Sequence, residues 1–201
     1  MKRVVVVGGG VIGLMCAVRL RQGGAHVTLL EAEREHPSVY GPIASAAAAG
    51  MLAPIERAPS PHEKIALESF DLWRAWQKGA EWADGVRFDG AVILSGGAED
   101  AAAFRQNAER LGRSAIALSS GQFRKRTGLE TKIENAVFIP DEGVADPMRV
   151  LTGLAMQARA LGALIEFDTD VSAIASDGVL THEGREFEAD AVIIAPGAWA
   201  T

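Results

Sequence analysis

The chain has 201 residues, 48% of them hydrophobic and 23% charged, with a formal net charge of −6 at pH 7. That length permits one large domain or two small ones with a buried core, and the apolar share excludes a disordered chain. The acidic balance argues against a nucleic-acid partner, whose phosphates favour a basic surface, but not against an anionic dinucleotide held by backbone N–H groups at a helix N-terminus.

Cys16 is the single cysteine, so no internal disulfide can form, and a reducing compartment is expected. Within an apolar helical stretch it reads as a small core residue. The apolar run after Lys2 and Arg3 is too short for a signal peptide, and no stretch reaches the length of a membrane span. The expected location is the cytoplasm, with no membrane partner.

Residues 4–7 are four valines, which suit a strand of a parallel sheet buried on both faces. Gly8, Gly10 and Gly13 then spell G-x-G-x-x-G, with Val11 and Ile12 opening a helix. Gly8 serves a sharp turn, Gly10 a close approach of backbone to a pyrophosphate, and Gly13 close packing of helix on strand. The helix is expected to run to about Gln22, with Gly23 and Gly24 as its stop. A second buried strand over 25–30 ends at Glu31, 18 residues beyond Gly13. An acid there can accept from ribose hydroxyls and would repel a 2′-phosphate, which disfavours NADP. These residues alone leave FAD and NAD both open, since the two share the adenine end.

The run ASAAAAGMLAP at 44–54 is rich in small residues. Taken alone it is either an alanine-rich helix packed closely on a neighbour or a segment that lets a flat cofactor approach the backbone. It resembles the corresponding segment of glycine oxidase and its relatives in the D-amino-acid-oxidase-like family of FAD enzymes. So do FIPDEGV at 138–144, Asp146 and Pro147, and APGAW at 195–199. The resemblance covers nearly the whole chain and selects FAD. It implies cofactor contacts from Gly8, Gly10, Val11, Ile12, Gly13, Glu31 and Ala32 at the adenine half. It implies the same of Ser45, Ala46, Gly50 and Met51 along the pyrophosphate and flavin, of Val171 by its backbone at the adenine, and of Ala195, Gly197 and Trp199 at the last turn. Ala46 stands where the family usually has a second hydroxyl, so one hydrogen bond is expected to be missing.

Elsewhere, residues 62–78 read as a helix with Ala66, Phe70 and Trp73 on one face, and Trp73 and Trp76 as core. His62 reads as a solvated helix start. Alternation from Val86 suggests an antiparallel insertion, followed by a helix over 99–111 and a short one after Ser119 and Ser120. Arg124, Lys125 and Arg126 read as a solvated face. Asp146 and Pro147 make a strong helix start, with Gly162 as the stop, and strands follow at 163–167, 171–175, 179–180 and 191–195. The expected fold is α/β. A Rossmann-like FAD-binding domain with a central parallel sheet and a β-meander comprises 1–84 and 141–201. A partial α+β substrate domain is inserted at 85–140.

The resemblance implies oxidation of glycine or another small amino acid or amine, by hydride transfer to flavin N5, imine hydrolysis and peroxide formation, with a link to thiamine biosynthesis. A sarcosine-oxidase-like enzyme, a quinone-linked amino-acid dehydrogenase and an inactive dinucleotide-binding module are the alternatives; an NAD enzyme runs against the 45–54 resemblance. The family's substrate-binding residues lie mostly beyond this point, so the chain is expected to be an N-terminal portion, and no catalytic residue is named in it. No metal ligands are expected. An unfinished sheet edge is expected to favour self-association.

Overall fold

The computed structural model describes residues 1–35, 43–130 and 135–200. By internal contacts the chain divides into one unit of 1–49, 80–85 and 146–201 and a second of 50–79 and 86–145.

The valine run forms β1 (Arg3–Val7) in the first unit, leading through the glycine turn into α1 (Val11–Gln22) and β2 (His26–Leu30). Among the described residues β1 lies between β2 and the last strand, β13 (Ala191–Ile194), in a parallel sheet whose other edge is β9 (Leu164–Glu166). The period of two divides the valines between two faces. Val6 lies toward α1, within 3.4 Å of the space a side chain at Gly13 would take. Val5 packs with Leu30, Val179 and Ala189. Val179 belongs to the meander, in which β10 (Val171–Ala175), β11 (Gly178–Thr181) and β12 (Glu186–Glu188) pair antiparallel, and Ala189 directly follows its last strand. A strand covered on both faces needs apolar residues throughout, and that is why four valines occur in succession.

Helix α5 (Pro147–Ala160) packs on α1 and buries Val150, Leu151, Leu154, Ala155 and Ala158 along one stripe. Asp146 caps it by accepting from the N–H groups of Met148 at 3.1 Å and Arg149 at 3.2 Å. Asp146→Ala leaves both donors without that acceptor and is expected to lower stability by about 1 kcal/mol, read as a lower urea midpoint.

The second unit holds two antiparallel sheets. In one, β8 (Gly143–Ala145) lies between β3 (Met51–Leu52) and β4 (Val86–Arg87). In the other, β7 (Ala136–Ile139) lies between β5 (Ala91–Leu94) and β6 (Ile116–Leu118). All four residues of β7 are buried. Val137 and Ile139 face Ala101, Phe104 and Ala108 of α3 (Ala98–Arg110), with Ile55 in the same cluster. Ala136 and Phe138 face Leu118 and Phe123, the latter from α4 (Ser120–Thr127).

Two details differ from expectation. Residues 50–79 group with 86–145, because Met51 and Leu52 pair with Val144 and Gly143, and Phe70 stacks edge-on against Phe88 at 5.4 Å. In α2 (Glu63–Gln77) only Phe70 is buried, while Trp73 and Trp76 are half-buried and stack edge-on on each other at 5.9 Å. Helical spacing identifies a face but not how much of it a neighbour covers. His62 is exposed at the helix start, and Arg124, Lys125 and Arg126 are exposed as expected, with Arg126 lying over the Phe138 ring. Among the described residues no helix is long and apolar enough to cross a membrane.

Candidate functional site

The site is built where β1 ends. Gly8 has φ +104°, and a Cβ there would lie 2.3 Å from the Ala195 carbonyl oxygen. A side chain is therefore excluded by both conformation and space. The Gly8 N–H donates to the Leu30 carbonyl at 2.8 Å, which ties the turn to the end of β2. At Gly13 a Cβ would lie 1.9 Å from the Gly8 carbonyl oxygen, so α1 can start this close to the strand only with glycine there.

The first N–H groups of α1 have no carbonyl one turn earlier within the helix, and Gly10, at the N-cap, has no side chain to offer them. Ser45 supplies one partner, since its Oγ accepts from the Val11 N–H at 3.1 Å. Among the described residues, the space a Cβ at Gly10 would take has one neighbour within 4 Å, that same Oγ at 3.1 Å. Gly10 thus leaves a small open cradle at the helix N-terminus, where the helix dipole favours an anion.

Glu31 is 8% exposed. One carboxylate oxygen accepts from the Gly9 N–H and the other from the Glu33 N–H at 2.9 Å. Both oxygens keep a second lone pair, so the carboxylate is aimed and can still accept from a ligand hydroxyl.

These groups face one cavity of about 710 Å³. Its lining includes Gly8, Gly10, Ile12, Glu31, Ala32, Ser45, Val171, Ala195, Gly197 and Trp199, ten of the positions singled out from sequence. Val11 stands behind Ser45 through its N–H, and Gly13 serves packing. Ala46 is buried in the turn beside Ser45 and does not line the cavity. Gly50 and Met51 belong to the second unit, where the Gly50 carbonyl accepts from the Ala145 N–H at 2.8 Å.

The run from Thr169 to Ile174 was missed apart from Val171, yet it forms one wall. It is placed by two backbone bonds: Thr169 N–H donates to the Glu31 carbonyl at 2.9 Å and Asp168 N–H to the Glu33 carbonyl at 3.1 Å. Asp168 is the one described non-glycine residue with positive φ, at 53°. Asp168, Thr169 and Asp170 in succession were the available signal, a polar turn ahead of an alternating strand. Among the described residues no cluster of His, Cys, Asp and Glu could hold a metal ion.

Comparison with known proteins adds to this geometry. A family described as "FAD dependent oxidoreductase" matches residues 3–201. The bifunctional protein ThiO/ThiG of Synechocystis sp. is 31% identical across 98% of this chain and 30% of its own length. The glycine oxidase of Geobacillus kaustophilus is 30% identical across 98% of this chain and 55% of its own. The crystal structure of glycine oxidase from Geobacillus kaustophilus superposes with a TM-score of 0.81 at 28% identity, covering all of this chain and 57% of that one. The chain therefore spans about half, or less, of the length of these relatives.

Proposed function

The chain belongs to the FAD-dependent oxidoreductase family, and on that premise we propose that its first unit holds FAD in the cavity at the end of β1, for the oxidation of glycine or another small amino acid or amine. The observation that carries this reading is the convergence on one cavity of a glycine cradle at a helix N-terminus, a pre-aimed buried carboxylate and a hydroxyl residue. The donor set fits the group. Gly10 and the start of α1 would hold the pyrophosphate, with Ser45 beside it. Glu31 would accept from the ribose hydroxyls, and its charge excludes a 2′-phosphate. The Val171 backbone would meet the adenine, with Ala32 nearby. Ala195, Gly197 and Trp199 would line the cofactor on the other side.

A bound flavin supplies the acceptor for a hydride from the carbon bearing the amine. The contribution of the chain is to bind, orient and exclude water, and no residue in it is assigned acid–base chemistry. A secondary-amine substrate is the second reading. It draws on 27% identity to a 4-methylaminobutanoate oxidase (formaldehyde-forming) of Paenarthrobacter nicotinovorans.

Titration of the purified chain with FAD, followed by flavin fluorescence, with NADH in parallel, tests the cofactor. The expected result is saturable FAD binding without NADH binding. NADH binding without FAD binding would overturn the proposal.

A further inference from the structure

The second unit contains a carboxyl group that the proposed function does not use. Glu142, in the turn between β7 and β8, is fully buried. Its Oε1 accepts from the Ile55 N–H at 3.0 Å, while its Oε2 has no partner among the described residues. The turn is itself held, since the Gly90 N–H donates to the Glu142 carbonyl at 2.9 Å. The Ile55 side chain is buried among Phe104, Ala108, Val137 and Ile139. Met51 and Leu52 just before it pair with β8, and the Glu56 carbonyl just after it accepts from Asn107 Nδ2 at 3.0 Å.

The surrounding charges are already engaged with one another. Arg113 donates to Asp141 Oδ2 at 2.7 Å and reaches Asp71 of α2 at 3.4 Å. Arg74 of α2 also reaches Asp141 Oδ2, at 3.7 Å, and on the β4 side Arg87 pairs with Asp89 at 3.8 Å. Asp141 lies beside Glu142 in sequence and has an unpartnered buried oxygen of its own, so it opposes a second negative charge. An ionised Glu142 would therefore be a buried anion with one oxygen unsatisfied, which is costly where a neutral carboxyl is not.

We infer that Glu142 is a proton-operated latch: neutral, it holds residues 51–55 against β8, and ionised, it favours opening of that segment to water. Burial, the largest cause, pushes its carboxyl up to about 7, reinforced by Asp141 and opposed by the Ile55 N–H and Arg113. The switch therefore operates near neutral pH. The latch requires no bound cofactor, so its failure and a failure of flavin binding are separate results.

Hydrogen exchange at the Ile55 amide of the whole chain, from pH 5 to 9 and corrected for the intrinsic rate, tests it. The expected result is an opening constant that rises by up to about tenfold per pH unit from pH 5 to 7 and levels off above. In Glu142→Gln, which keeps the acceptor and cannot ionise, the constant should stay flat. A flat wild-type profile overturns the latch. So does the same slope in the variant.

Discussion

Gly13→Ala is expected to destabilise the chain by about 3 kcal/mol or more and to remove FAD binding. The added methyl would lie 1.9 Å from the Gly8 carbonyl oxygen and 3.0 Å from its carbon. Both atoms are backbone and belong to the turn that fixes the cavity floor, so no side-chain rotation relieves the clash. Relief requires α1 to move off β1, which separates Val6 from the helix and carries the Gly10 cradle away from Ser45. Gly121→Ala is the matched control. It lies in α4 with nothing among the described residues within 4 Å of an added Cβ, and should be neutral or stabilising by about 0.5–1 kcal/mol, since alanine loses less backbone entropy in a helix. Urea midpoints for both variants, with flavin fluorescence for the first, decide the matter. A Gly13→Ala chain with wild-type midpoint and wild-type FAD binding would show that the close approach is dispensable.

Glu142→Gln is expected to stabilise the chain at pH 8 and to leave it nearly unchanged at pH 5. The folded-state pKa of Glu142 is raised, from 4.5 to about 7. The stability contributed by the neutral carboxyl is therefore fully present below about pH 4.5 and is lost as pH rises through about 7. At 1.36 kcal/mol per unit, the loss in the wild type reaches at most about 3 kcal/mol. Glutamine keeps the acceptor for the Ile55 N–H and cannot ionise. Unfolding free energies of both proteins across pH 5 to 8 should diverge steadily above pH 5 and run parallel above 7. A variant less stable than wild type at pH 8 would show that ionised Glu142 is well accommodated.

Much of the candidate site is legible because its first part is local. Four valines, three spaced glycines, a helix with its stop, a second strand and a terminal acid occupy the first 31 residues, and each acts on its near neighbours. The Asp146 cap is legible for the same reason, since the acceptor and its donors are two and three residues apart. The choice of flavin over nicotinamide was carried by resemblance at 44–54 and 195–199.

The β1–α1–β2 unit, its dinucleotide geometry and the helix boundaries set by caps and glycines are local, and follow from the residues in order. Backbone sterics and period-two or period-3.6 burial act within a few residues. The remainder depends on contacts between segments far apart in the chain. Ser45 reaches the Val11 N–H across 34 residues, Asp168 and Thr169 are pinned to the end of β2, and residues 50–79 join the second unit through pairing with β8. Glu142 belongs there too. In the chain it is one acid in a polar turn, and it becomes a fully buried carboxyl only because Ile55, 87 residues earlier, packs in the α3–β7 core and brings its amide to it. Hydrophobic burial is non-directional and strand pairing joins remote segments, so neither leaves a signature in the residues immediately around such a contact.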